Sequence, residues 1–265
     1  MKPEEVWKDV LAIRERSPLV HSITNYVVMN STANALLAIG ASPVMAHAEQ
    51  EMEDMVELVS KVGGALVINI GTLSRDWITS MELAMQTAAD REVPIVLDPV
   101  GAGATPYRTQ TCKQLLEATK PTVIRGNASE IMALLDTSIQ TKGVDSAQSA
   151  DAATESAKQL AIEQGCVVSV SGATDIMTDG TRIFRCERGH AWMPRVTGLG
   201  CTASALTGAF LAVNPDFLQA AAHAMMAMGI CGEVAAAKAD GPGTLQLHFY
   251  DALFNLSDDD LEMAP

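Results

Sequence analysis

The strongest constraint on this chain is a rhythm. Short apolar runs that end in polar or glycine-bearing turns alternate with segments of helical periodicity. The clearest run is 65–70, bounded by Gly63-Gly64 and Gly71. It is too short for a helix and apolar but for Asn69, so it reads as a strand covered on both faces. Runs at 43–46, 94–97, 122–124 and 166–170 repeat the pattern. Between them the spacing predicts helices over 1–16, 24–39, 51–61, 74–91 (capped by Ser74), 108–119, 128–135 and 152–163, with an exposed loop at 137–150. Such alternation implies an α/β protein, a three-layer α/β/α sandwich on a mostly parallel sheet. The rhythm changes after Gly172. Short runs at 175–178, 182–186 and 191–193, with turns at Asp179-Gly180 and Arg188-Gly189, predict a short antiparallel hairpin region. From Gly200 onward the chain reads as helical.

Composition narrows the function. The 265 residues carry 18 Lys and Arg against 32 Asp and Glu, a net charge of −14. A general nucleic-acid binder needs a basic face, so that class is excluded, and an anionic membrane surface is disfavoured. Five cysteines, an odd number with no C-x-x-C pair, argue against a disulfide framework or a zinc ribbon. No apolar signal core follows Met1, so a cytoplasmic protein is expected. Nothing resembles a linker, so 1–265 reads as one domain, with 257–265 an acidic, flexible tail. Only five residues between Val196 and Ser257 are charged. Helices that apolar are buried either inside the fold or in a subunit interface.

Ligands of open parallel sheets bind beyond the carboxyl ends of the strands. Those ends here carry Met45, Asp98 in Asp98-Pro99-Val100-Gly101, Arg125 and Glu130 in Arg125-Gly126-Asn127-Ala128-Ser129-Glu130, and Ser171. The most specific segment is 196–205, where Gly198-Leu199-Gly200-Cys201 leads into a small-residue helix. Glycines there let successive N–H groups face one oxygen, and the helix start adds partial positive charge, which makes an anion site. The segment has neither the third glycine of a dinucleotide fingerprint nor a Walker lysine, and alone it equally suits a tight turn. Cys201 stands at that helix start, where a thiol pKa is expected to fall.

His21-Ser22-Ile23-Thr24-Asn25-Tyr26-Val27, the Asp98 segment, the Arg125–Glu130 segment and the Gly198–Cys201 turn occur in that order. Together they resemble the hydroxyethylthiazole kinase family, the thiamine-salvage branch of the ribokinase-like fold. The likeness runs over most of the chain, from Ser17 to Asn255. Leu199, where the family usually has a small residue, and Ser22 depart from its pattern. The resemblance implies transfer of the ATP γ-phosphoryl group to the primary alcohol of 4-methyl-5-(2-hydroxyethyl)thiazole. It also implies a homotrimer with sites between subunits. By the same resemblance Asn25, Val27, Met45 and Gly198 contact the substrate, Arg125 and Ser171 contact ATP, and Cys201 stands where sugar kinases of this fold carry an Asp base.

The residue types suit that chemistry. Phosphoryl transfer needs positioning and charge neutralisation more than covalent help. Asp98 and Glu130 suit Mg²⁺, held directly or through water. Glu130 equally suits a first-turn carboxylate facing its helix dipole. Arg125 suits phosphate oxygens, or a structural ion pair with Asp98 or Glu130. The Gly198, Gly200 and Cys201 backbone suits charge on the transferring group. Cys201 reads as a base, a hydroxyl-positioning group or a small buried residue. The other readings are a hydroxymethylpyrimidine kinase, a dehydratase of hydrated nicotinamide cofactors, or a trimeric thiazole-binding protein without turnover.

Overall fold

The apolar runs pair side by side in one sheet. A computed structural model describes residues 1–135 and 146–262. In chain order the elements are α1 (Pro3–Arg16), β1 (Leu19–Ile23), α2 (Met29–Ile39), β2 (Ser42–Val44), α3 (Met52–Val62), β3 (Ala65–Asn69), α4 (Arg75–Asp90), β4 (Ile95–Asp98) and α5 (Pro106–Ala118). Next come β5 (Val123–Asn127), α6 (Ala128–Leu134), α7 (Ser146–Gln164), β6 (Val167–Ser171), β7 (Asp175–Thr178) and β8 (Ile183–Cys186). Four helices close the chain: α8 (Leu199–Leu211), α9 (Phe217–Lys238), α10 (Pro242–Asn255) and α11 (Asp258–Glu262).

Among the described residues the sheet has eight strands in the order β2-β1-β3-β4-β5-β6-β7-β8. The first six in that order are parallel neighbours, and β7 and β8 add antiparallel. Alternate strand residues serve two cores. Val20, Val67, Val96 and Val123 meet α1, α2, α8, α9 and α10 on one side. Ile23, Ile68, Leu97 and Ile124 meet α3 to α7 on the other. Each such side chain that is fully removed from water contributes about 1.5–3 kcal/mol. Helices α8 and α9 are buried on nearly every side, so their lack of charge is explained inside the fold rather than by an interface.

Several boundaries differ from the sequence reading, each for a local reason. The helix expected from residue 24 starts at Met29. The Asn25 side chain accepts the Val27 N–H at 3.1 Å, a local bond that competes with the helical pattern and leaves 24–28 as a turn. The expected strand at 191–193 is a turn running into a 3-10 helix at Met193–Arg195, where Pro194 cannot donate to a ladder. β1 went unread because His21 and Ser22 interrupt its apolar pattern, although both are wholly buried between neighbouring strands. Residues 146–150 of the expected loop begin α7, and 137–145 lie outside the described residues. Within the acidic tail, α11 packs on α1 and buries Leu261.

Candidate active site

The carboxyl ends of β1, β3 and β4 feed a buried polar chain. Asn25 Nδ2 donates to Asn69 Oδ1 at 2.9 Å, and Asn69 Nδ2 donates to Asp98 Oδ2 at 2.8 Å. Ser204, one turn into α8, donates its hydroxyl to the same Asp98 oxygen at 2.7 Å. Asn25 Nδ2 also lies 3.5 Å from Cys201 Sγ. Burial pushes the Asp98 carboxyl up to about 6, with Glu130 adding to the rise. The Arg125 charge and the Ser204 and Asn69 hydrogen bonds oppose it. Burial, then the Asp98 charge, pushes the Cys201 thiol up to about 11. The expected lowering of that thiol is therefore reversed. Loss of water and a nearby carboxylate outweigh the helix dipole, and Cys201 keeps its proton near neutral pH.

Asp98, Arg125 and Gly198 stand where strand or helix ends announce them. Asn69, Ser204 and Arg108 do not, and sequence reading missed all three. Asn69 was legible only as the single polar residue closing an apolar strand. Arg108 Nη1 donates to the carbonyls of Ile70 at 2.9 Å and Val100 at 2.8 Å, and its Nη2 donates to Gly71 at 3.0 Å. It thereby ties the loops after β3 and β4 together.

The α8 amino terminus faces these groups. Gly198 is its N-cap at φ +87°, and no side chain caps the first turn. A Cβ at Gly198 would sit 2.7 Å from Val28 Cγ1, so both the left-handed conformation and the close approach require glycine. Arg125 reaches across from β5 and donates from Nη1 to the Gly200 carbonyl at 2.9 Å. Its Nε is buried without a protein partner. The guanidinium thus steadies the turn and keeps donor capacity for an anion.

Glu130 completes a capping box at α6. Its Oε2 accepts the Asn127 N–H at 2.8 Å, and Asn127 Oδ1 accepts the Glu130 N–H at 3.0 Å. Its Oε1 accepts from Gly101 N at 2.8 Å, which joins the β5 and β4 loops. The structural reading of Glu130 is therefore realised. Asp98 and Glu130 nonetheless line one cavity. Among the described residues, no three His, Cys, Asp or Glu gather in a metal-binding group. The carboxylates already hold donors, and each retains acceptor capacity. That donor set would suit a hydrated divalent cation such as Mg²⁺.

Two cavities adjoin at the Gly198–Gly200 turn. The smaller, about 400 Å³, is lined by Asn25, Val27, Asp98, Glu130 and Cys201. The larger, about 890 Å³, lies between α8, α9 and the segment after β8. Arg125, Ser171, Gly198 and Gly200 line both. Leu199 lines the larger, and Met45 lines neither. Met45 follows β2 at the sheet edge and is half-buried, so within one chain it is not brought to the other site residues.

Comparisons with known proteins give the family. A family model described as the hydroxyethylthiazole kinase family matches residues 10–259. A hydroxyethylthiazole kinase of Syntrophus aciditrophicus is 56% identical over 260 residues, covering 98% of this chain and 95% of that protein. The structure of hydroxyethylthiazole kinase protein from Pyrococcus horikoshii OT3 is similar at a TM-score of 0.90 and 43% identity, covering 98% of this chain and 96% of that one. The pyridoxal kinase from Staphylococcus aureus, solved with AMP-PCP and pyridoxal, has a TM-score of 0.58 at 17% identity, over 81% of this chain and 88% of its own. That last likeness shows the fold alone, which is ribokinase-like. With a match over nearly its whole length and the polar strand ends and uncapped glycine turn assembled, the chain belongs to the hydroxyethylthiazole kinase family.

Proposed function

We propose that this chain transfers the γ-phosphoryl group of ATP to the primary alcohol of 4-methyl-5-(2-hydroxyethyl)thiazole, forming the phosphate ester used in thiamine salvage. The observation that carries this reading is the pair of adjoining cavities sharing the Gly198–Gly200 turn and Arg125. A nucleotide in the larger cavity directs its terminal phosphate past Arg125 and Ser171 toward the uncapped α8 amides. The thiazole alcohol in the smaller cavity meets Asn25, Val27 and Gly198, with its hydroxyl at Cys201.

The residues then divide the work. The α8 amides and Arg125 stabilise charge spread over the transferring group. Asp98 and Glu130 would hold Mg²⁺, which would supply further charge neutralisation when bound with the nucleotide. Asn69 and Ser204 hold Asp98 in place. Cys201 orients the alcohol as a protonated thiol. Proton removal is a small part of a loose phosphoryl transfer, so a group that keeps its proton suffices.

The reading extends to a cytoplasmic homotrimer in which each subunit is a single kinase domain over 1–265. Tyr26 and Val27 beside the smaller cavity, Leu37 on α2, and Leu247 and Phe254 on α10 are all exposed apolar side chains. They supply apolar surface for a neighbouring subunit, and a shared site gives Met45 a route to a thiazole ring. All five cysteines are unpaired, as a reducing compartment requires.

The test is purified protein with ATP, Mg²⁺ and the thiazole alcohol, monitoring ADP and the phosphate ester. Turnover with this alcohol supports the reading. Turnover only with a hydroxymethylpyrimidine, or tight thiazole binding without turnover, overturns it.

A further inference from the structure

The larger cavity has a wall that its own helix is built to receive. Residues 188–193, between β8 and α8, cross over α9, and Arg188, Gly189, His190 and Met193 line the cavity. On α9, Gly229, Gly232 and Glu233 share one face by their spacing of three and four. A Cβ at Gly229 would sit 2.5 Å from Arg188 Cβ and 2.8 Å from its backbone carbon. A Cβ at Gly232 would sit 2.3 Å from Met193 Sδ. The crossing segment therefore rests directly on the α9 backbone at two points. Between them Glu233 fastens it. One carboxylate oxygen accepts the Gly189 N–H at 2.7 Å, and the other pairs with Arg188 Nη2. The segment closes on itself through the His190 N–H to Met193 Sδ at 3.3 Å and the Met193 N–H to the His190 carbonyl at 2.9 Å.

This arrangement does more than pack. Among the described residues β8 is the last strand of the sheet, so no ladder orders the segment beyond it. The seat on α9 takes the place of a ladder in fixing this wall of the cavity that Arg125 and Ser171 also line. We propose that the Gly229–Gly232–Glu233 face of α9 is the seat that holds residues 188–193 as the nucleotide wall, with Glu233 a positioning residue for nucleotide binding. The inference rests on the reading that the larger cavity takes ATP.

The test uses three variants of the full chain: Glu233→Ala, Gly232→Ala, and Gly232→Ala combined with Met193→Ala. Each is titrated with ADP by calorimetry and assayed for KM toward ATP and toward the thiazole alcohol. Loss of a charged, partly buried tether raises the ADP Kd and the ATP KM of Glu233→Ala about tenfold. KM for the alcohol shifts by less than about twofold, as expected when only one cavity is disturbed. Gly232→Ala shows the same split. Adding Met193→Ala removes the collision and returns the ADP Kd toward wild type, a coupling that independent sites lack. An unchanged ADP Kd in folded Glu233→Ala and Gly232→Ala overturns the proposal. So does an alcohol KM that rises as much as the ATP KM, because general loosening produces that. If Glu233→Ala does not fold, the Gly232 and Met193 pair decides. If the wild type binds ADP but does not phosphorylate the thiazole alcohol, the proposed activity falls while the ADP titrations still judge the seat.

Discussion

Asp98 carries an electrostatic cost that its position imposes. Its carboxyl, at about 6 against an ordinary 3.8, is raised mainly by burial. Between those two values the folded chain binds a proton that the unfolded chain has lost, so stability falls as pH rises through that window. Near neutral pH, without metal or nucleotide, the buried charge costs about 1–3 kcal/mol. Asp98→Asn keeps an oxygen to accept from Asn69 and Ser204 while removing the charge. It is expected to melt at a higher temperature than wild type near neutral pH and to lose most activity. A lower melting temperature would contradict this account of the site. Cys201 is the complementary case. With its thiol pushed up to about 11, its alkylation by iodoacetamide is expected to accelerate about tenfold per pH unit between about pH 7 and pH 10. Rates that level off below about pH 9 would mean a low thiol pKa. Cys201→Ala is expected to lose less than about 100-fold in kcat, below the usual range for removing a general base.

At the scale of elements, the α8 start and the α6 start do different work. Gly198→Ala must hold a left-handed backbone, which costs about 1–2 kcal/mol, and must also displace Val28. Steady-state kinetics are expected to show a loss in kcat/KM far larger than that stability cost would produce through unfolding, because the amide turn itself moves. Glu130 separates two roles that one position satisfies. Glu130→Gln keeps one oxygen for either the Asn127 or the Gly101 N–H and turns a donor toward the other, which costs about 0.5–1.5 kcal/mol by calorimetric unfolding. If Glu130 also holds the hydrated cation, the Mg²⁺ concentration for half-maximal activity rises several-fold. A lower melting temperature with no change in Mg²⁺ dependence would leave it a cap alone.

For the whole molecule, the charge-poor stretch after Val196 has two fates. Helices α8 and α9 fill the core on one sheet face, while α10 leaves Leu247 and Phe254 in solvent beside α2 with Leu37. Sedimentation velocity at micromolar protein is expected to show a trimer. Leu247→Glu with Phe254→Glu is expected to yield monomers that keep their far-UV circular dichroism and lose activity, as the proposed sharing of each site with a neighbour requires. A wild-type monomer with full turnover would remove the shared-site arrangement.

The alternation of apolar runs and helical periods was enough to determine the layered fold, because strands covered on both faces leave few other ways to bury them. Arg125, Asp98 and the Gly198–Gly200 turn were equally legible, since each stands at an element end that punctuation marks. β1 was not, because its buried His21 and Ser22 look like loop residues until neighbours cover them. Asn69 and Ser204 were hidden for a related reason: their partner Asp98 lies 29 and 106 residues away along the chain. The protonation of Asp98 and Cys201 belongs wholly to the tertiary structure. A pKa answers to water, charge and donors in space, and those are set only when β3, β4 and α8 come together.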